Sequence, residues 1–456
     1  MEITIVHLPA ELIQFILLEV SDRQSLLSLA YSSRMVYQVY LMSQKPLHLG
    51  FLDKEYEEIS LDINEAISAI RTTGLGMKKN KEKTIAALDV WRRRKETATK
   101  VKRSLTMEEI IELDKFHKEM LFLLKDFQDN AVDLYWLGDC EQAYKDLPIQ
   151  LKRAEKRRFL TALCRLVIHA NIFGKNGEAK GFVPSADDNN WEVISVEDAW
   201  SLFFGTIPPW EYEEMGCVWS HLMYKWDEVL ENVEDEQETM ISIWNGCSPH
   251  NYTVESSYGD SLRKVDGNPF RAFTPEEEPS KMPPRGLTLV GNTILGFDRK
   301  VYDPLYFASF GPRFLFRAMH TDTLVRHKNL LANINSSRKH FPSWIGFEAP
   351  LLRNRRLPLL YPAEKYNVGS FDELWPKISD TDRPGALWTR LTQDLFTEHQ
   401  DFEAAFVEEH IRNDPDDHYT EVGWEWQADI WDEENLELLN IYRGDWYENY
   451  WQRAFG

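Results

Sequence analysis

Leu8-Pro9-Ala10-Glu11-Leu12-Ile13-Gln14-Phe15-Ile16, followed by Leu26-Leu27-Ser28-Leu29 and Ser33-Arg34, sets how this chain begins. Pro9 suits the first turn of a helix, where its missing N–H has no intrahelical partner to lose. Leu12, Ile13, Ile16, Leu17 and Val20 then recur at helical spacing and predict one wide apolar face. Ser21-Asp22-Arg23-Gln24 has the pattern of a capping box for a second helix, with Ser21 as cap and Gln24 three residues on. Leu26, Leu27 and Leu29 follow. Ser32 or Ser33 is placed to cap a third helix carrying Met35, Val36, Val39 and Tyr40. Three short amphipathic helices in about forty residues bury too little on their own. Such a module either packs on a larger body or keeps apolar surface for a partner.

The same residues resemble an F-box. Modules of that family open with Leu-Pro, continue with Glu-Leu and an Ile-Leu pair, carry Leu-Leu in the second helix and begin the third with Ser/Cys-Arg. Here Leu8-Pro9, Glu11-Leu12, Ile16-Leu17, Leu26-Leu27 and Ser33-Arg34 stand in that order. Val36 occupies a position where many F-boxes carry Trp. The resemblance implies docking of a Skp-type adaptor, and through it a cullin, by Leu8, Pro9, Leu12, Ile13, Ile16, Leu26, Leu27, Ser33 and Val36. It also implies that the rest of the chain recruits an unknown protein target as the substrate receptor of a ubiquitin ligase. Such a protein has no catalysis of its own and needs no cofactor. An F-box-like binding or scaffold protein acting outside a ligase is the alternative, and an enzyme with an unrecognised site the remote one.

The 456 residues, 43% hydrophobic and 28% charged, have the composition of an ordinary globular protein with room for a large core. No apolar run approaches the ~18 residues of a membrane span, and no basic-then-apolar leader precedes Leu8. Four cysteines without a CxxC pair suit a reducing compartment, cytoplasmic or nuclear. A net charge of −22 argues against general nucleic-acid binding. That charge is uneven. Residues 71–103 hold twelve Lys/Arg against three Asp/Glu, and residues 401–456 hold sixteen acids against three bases. Lys78-Lys79-Asn80-Lys81 and Arg92-Arg93-Arg94-Lys95 have the look of an import signal, but a solvated helix face through Ile85, Leu88 and Trp91 is the favoured reading. The basic segment could also fold back on the acidic C-terminus, though salt screens such attraction beyond about 10 Å.

Helical patterns dominate the body. Thr106-Met107-Glu108-Glu109 is a capping box opening a helix with Ile110, Leu113, Met120, Leu121, Leu124 and Phe127 on one side. Pro148 can start a helix with Leu151, Phe159, Leu163, Leu166 and Val167 inward and Arg153, Lys156 and Arg157 outward. A helix from Ser195 through Trp200 to Phe204 is expected. After Pro208-Pro209 a long helix should carry Met215, Val218, Trp219, Leu222, Trp226, Val229 and Leu230, and residues 384–412 predict one more. Residues 174–192 and 246–286 read as loops, and residues 287–297 at most as a strand pair. The expected fold is mainly α: a three-helix module over residues 1–44, and a large irregular helical domain with little sheet over 45–456.

A second resemblance lies further on. Pro208-Pro209-Trp210-Glu211-Tyr212-Glu213-Glu214 with Cys217-Val218 and Leu222, and later Gly423-Trp424-Glu425-Trp426, Ile430-Trp431-Asp432 and Leu436, resemble segments of large, mostly uncharacterised fungal F-box-type proteins. It implies one large helical domain and no known activity.

Phosphate-loop, dinucleotide, zincin and serine-hydrolase motifs are absent. Cys217, His221, Cys247 and His250 supply four zinc-type ligands, but one helical turn between Cys217 and His221 explains their shared face without a metal. The favoured reading is two cysteines on an apolar helix face, a surface His221 and a loop His250, with no metal. Trp424, Trp426, Trp431 and Trp446 crowd the acidic C-terminus. Packing is their first expected role, and a target-binding patch the second.

Overall fold

A computed structural model describes residues 8–20, 22–130, 150–174, 201–247 and 307–321, with residues 383, 385, 430–432, 434 and 435. Among the described residues every regular element is helical and no strand occurs. The helices are α1 (Ala10–Glu19), α2 (Arg23–Ala30), α3 (Arg34–Met42), α4 (Gln44–Glu58), α5 (Ile63–Arg71), α6 (Met77–Arg92), α7 (Arg94–Ser104), α8 (Met107–Asp129), α9 (Arg153–Ile172), α10 (Pro209–Cys247) and α11 (Pro312–His320). The expected loops, the strand pair and the helix over 384–412 fall almost wholly outside the described residues, as does the acidic segment thought able to meet the basic helices.

Local chemistry explains the N-terminal starts. Pro9 sits just outside α1 as its cap, and its carbonyl accepts from Leu12 and Ile13. The second start differs from expectation. Asp22, not Ser21, caps α2, and its carboxylate accepts from both the N–H (2.8 Å) and the hydroxyl (2.7 Å) of Ser25. A carboxylate at the positive end of a helix is a stronger acceptor than a hydroxyl, so the start moves one residue on. Ser33 caps α3 through the Val36 N–H.

Ile13, Leu17, Leu26, Ala30, Val36, Val39 and Tyr40 from these three helices form a small core of their own, closed by Leu47 and Phe51 of α4. On the adjoining face of α4, Leu52 and Tyr56 belong to the large core instead. The division at residue 44 thus falls at the α3–α4 junction, while the division between cores falls inside α4. Polar links reinforce this shared helix. Lys54 donates to the Leu18 carbonyl (2.9 Å), and Arg23 reaches both Glu55 (3.0 Å) and Asp114 of α8.

The large core is built around α9, which packs on α5, α8, α10 and α11. α9 begins at Arg153 rather than at Pro148, with the Glu155 carboxylate reaching back to the Lys152 N–H (2.7 Å). Phe159, Leu163, Leu166 and Val167 are buried as expected, with Arg153 exposed and Lys156 and Arg157 half-buried; from Arg158 to Ile172 every residue is buried, so beyond its first turn α9 is an interior helix. Two of these interior residues are arginines. Arg165 donates to Glu65 of α5 (3.0 Å) and to Glu211 of α10 (2.6 Å). Glu65 also takes Arg94 of α7 (2.6 Å) and the Trp91 indole N–H of α6 (2.6 Å). One buried network therefore joins five helices.

α8 starts at the expected capping box, with Thr106 and Glu109 exchanging hydrogen bonds. α10 follows the Pro208 turn, and Met215, Val218, Trp219, Leu222, Trp226, Val229 and Leu230 are all buried. Phe204 lies in a short 3-10 turn, Phe204–Thr206, just before it. α6 and α7 form the basic segment, broken by non-helical backbone at Asn80 and by the Arg93 junction; Leu88 and Trp91 point inward and Lys81, Lys83, Lys100 and Arg103 outward. α11 is pinned to α8 by Arg313, bonded to Glu119 (2.7 Å) and Glu112 (2.5 Å). Its cap Gly311 has φ 84°, and a Cβ there would stand 2.5 Å from that of Ala170. Both the left-handed backbone and the close approach to α9 require glycine.

Candidate docking surface

The small module keeps a second set of apolar residues outside. Of twelve exposed large apolar side chains among the described residues, nine lie within residues 12–42: Leu12, Phe15, Ile16, Leu27, Tyr31, Met35, Tyr37, Leu41 and Met42. Helix geometry separates the two sets. Ile13 and Leu17, four residues apart, face inward, while Leu12, Phe15 and Ile16 sweep the adjoining arc and face water. On α3, Val36, Val39 and Tyr40 face inward, and Tyr37 and Leu41 form a separate outer row. Residues 8–42 contain only five charged side chains, and one of these, Arg23, is turned into the joint with α4 and α8. The module outside that joint therefore carries only Glu11, Glu19, Asp22 and Arg34, and is sparse in charge beside the rest of the chain.

An aromatic row runs from this face toward the joint. Tyr31 stacks on Tyr37 (5.5 Å), Tyr37 on Tyr40 (6.3 Å), and the Tyr40 hydroxyl meets His48 Nε2 at 3.4 Å. Burial, with Tyr31 and Tyr37 nearby, raises the Tyr40 pKa, while burial and the Arg23 charge lower that of His48. The pair stays uncharged around neutral pH.

The nine residues that the F-box resemblance assigns to the adaptor are thus divided by the fold. Leu12, Ile16, Leu27 and Pro9 are exposed, and Leu8 is half-buried against the small core. Ile13, Leu26 and Val36 are interior, and Ser33 serves as a helix cap. The module's outermost apolar residues, Phe15 (64% exposed), Tyr31 (69%) and Met42 (77%), were not singled out by sequence reasoning. A helical wheel of residues 10–19 already sets Phe15 on the arc beyond Leu12 and Ile16. Tyr31 follows the last turn of α2, where periodicity carries no signal.

The remaining candidates lie deeper. Trp431 is fully buried and stacks on Phe127 (5.2 Å, 18°), so it belongs to the core and not to a target-binding surface. Trp424, Trp426 and Trp446 lie outside the described residues. His221 is interior rather than on the surface. Its Nε2 stands 3.2 Å from Asp126, its ring contacts Phe127 and Phe159, and burial lowers its pKa. Lys225 shares Asp126 (3.3 Å) and takes Glu228 (2.7 Å). Cys217 is buried, Cys247 ends α10, and His250 lies outside the described residues; among the described residues no side-chain group is arranged to hold a metal ion.

No family model, curated protein or solved structure matches the chain. No helix among the described residues is long and apolar enough to cross a membrane.

Proposed function

We propose that residues 8–42 dock a Skp-type adaptor in the manner of an F-box, and that the chain is the substrate-receptor subunit of a Skp–cullin–F-box ubiquitin ligase. One observation carries this reading: among the described residues, nine of the twelve exposed large apolar side chains sit on or next to three short helices that have their own core and few charges. Isolated exposed apolar residues need no explanation, but a concentration of this kind is the usual mark of a protein interface. The F-box-like order Leu8-Pro9, Glu11-Leu12, Ile16-Leu17, Leu26-Leu27, Ser33-Arg34 supplies the kind of partner. Val36, in the position where many F-boxes carry Trp, is fully buried, so that difference changes the inside of the module and not its outer face. The α9 body would then recruit the target. Catalysis would rest with the partners, and this chain would act by raising the local concentration of target.

The test is recovery of the full-length protein from a native extract of its source. Adaptor and cullin should co-purify, and Leu8→Ala with Pro9→Ala should weaken their recovery while the body stays folded. A stable partner without a cullin would favour the scaffold alternative. Undiminished adaptor recovery by the double variant would remove Leu8 and Pro9 from the interface.

A further inference from the structure

The module's outer face does not end with α3. Leu41 and Met42, both exposed, stand at its far end, and Lys45 follows within one turn, also exposed, at the start of α4. Lys45 Nζ reaches the carbonyl of Arg103, 58 residues on, at 3.5 Å, so the last turn of α7 lies against this end of the module. Arg103 is exposed, and so is Lys100, three residues earlier and therefore on the same side of α7. Two helices thus bring Lys45, Lys100 and Arg103 to one corner, next to exposed apolar side chains.

The other cations of this region are already taken. Arg71 forks onto Glu109 (2.7 and 3.2 Å), Lys102 pairs with Asp53 (2.7 Å), and Arg94 pairs with Glu65 (2.6 Å) in the buried network. Trp91, under Arg94 at 5.1 Å and stacked on Phe203 at 5.0 Å, ties the α6–α7 junction to the large core. The basic corner therefore stands on a fixed support. Its three cations have no carboxylate partner among the described residues. Glu96, one turn before Lys100, and Glu108, in the first turn of α8, are exposed acids close to them along the chain, and neither pairs with them.

We infer that Lys45, Lys100 and Arg103 are the basic rim of the docking surface, and that they take an acidic patch of the adaptor at the Leu41–Met42 end of the module. This rests on the docking reading above and adds to it the charge of the partner's facing surface. An apolar centre with a polar rim is the usual anatomy of a protein interface. Rim charges act mainly on the rate of encounter, because they attract across a Debye length of about 10 Å at 0.1 M salt, before apolar surfaces touch. The chain as a whole, at −22, repels an acidic partner, so a basic corner beside the module selects the side from which one approaches.

The association rate of purified Skp-type adaptor with the full-length chain tests this. For the wild type, kon should fall about tenfold or more between about 50 and about 500 mM salt. Lys45→Glu with Arg103→Glu should lower kon about tenfold or more at the low-salt end and remove its salt dependence, while the dissociation rate changes less than about twofold. Lys125→Glu with Lys156→Glu makes the same change in net charge on α8 and α9, and should lower kon by less than about threefold. A corner variant that associates like the wild type at every salt concentration would overturn the basic rim and leave the docking reading standing. An equal loss from the α8–α9 variant would show net charge alone at work, and would overturn the rim as well. No association by the wild type would overturn the docking reading and the rim together. Should the reversals lower the denaturation midpoint, Lys45→Gln with Arg103→Gln decides: a weaker salt dependence supports the rim, and an unchanged one overturns it.

Discussion

In the N-terminal module nine buried residues hold three short helices on the start of α4, and nine large apolar side chains around them face water. Among the described residues of the body around α9, only Val90, Ile111 and Tyr224 are large, apolar and exposed, while Glu65, Arg158, Arg165 and Glu214 are drawn inside. The body had enough apolar surface to enclose charges and pair them. The module had more apolar surface than three short helices can cover. Its excess lies on outer arcs, Leu12–Phe15–Ile16 and Tyr37–Leu41, which no described element covers. The contrast predicts opposite responses to substitution. Body positions should report on stability, and outer module positions on partner binding.

The largest effect should come from the buried network. Arg165→Ala leaves Glu65 and Glu211 in a dry interior with their shared cation gone, and should destabilise the body by about 3–5 kcal/mol. Chemical denaturation measures it, and a loss under about 1 kcal/mol would mean that water enters the network. Next, Ile13→Ala empties part of the small core at a cost of about 2–4 kcal/mol. Because that core is separate, exchange should quicken in α1–α3 and stay slow in α9. Equal quickening in both would show that α4 makes the two cores one cooperative unit.

The pH profile sharpens the same comparison. His117 and His169 are buried, with pKa values lowered to about 4, so the folded chain binds fewer protons than the unfolded one between there and the ordinary value of 6.5. Their share of stability is therefore lost as pH falls through that window. Glu214 has the opposite sign. Its raised pKa means the folded chain holds a proton that the unfolded chain has released, so stability is lost as pH rises toward about 8. These groups place a stability maximum near pH 6.5. Glu214 alone should remove about 2 kcal/mol between pH 6.5 and 8, at about 1.4 kcal/mol per unit. Glu214→Gln should flatten that alkaline limb in a denaturation series, and an unchanged limb would contradict the assignment.

Much of the module was legible in the sequence, because Ile13, Leu17, Leu26, Val36 and Val39 recur at helical spacing and serine or aspartate stands before each of the later two helices. What periodicity could not give was the sign of each apolar residue. Leu12 and Ile13 are neighbours of like chemistry, and only packing sends one out and the other in. The body shows the reverse difficulty. Nothing local announces that Arg158 and Arg165 of α9 are interior, because their partners Glu65, Glu211 and Asp432 lie 46 to 274 residues away in the chain. The two segments of the second resemblance likewise meet only in three dimensions, with Glu214 and Asp432 on either side of Arg158. Trp431 reads first as core and second as interface, and its place against Phe127 puts it in the core.

The smallest expected effect on stability belongs to the outer face, and it carries the central claim. Leu12→Ala, Ile16→Ala and Leu27→Ala should each shift stability by no more than about 0.5 kcal/mol, since these side chains already face water. Central interface residues typically cost about 2 kcal/mol each when truncated. The decisive measurement is therefore the affinity of purified Skp-type adaptor for the full-length chain and for this triple variant, beside their denaturation midpoints. The account predicts a drop in affinity of about a hundredfold or more with a nearly unchanged midpoint. Equal affinity for both chains, or no measurable binding by either, would contradict it.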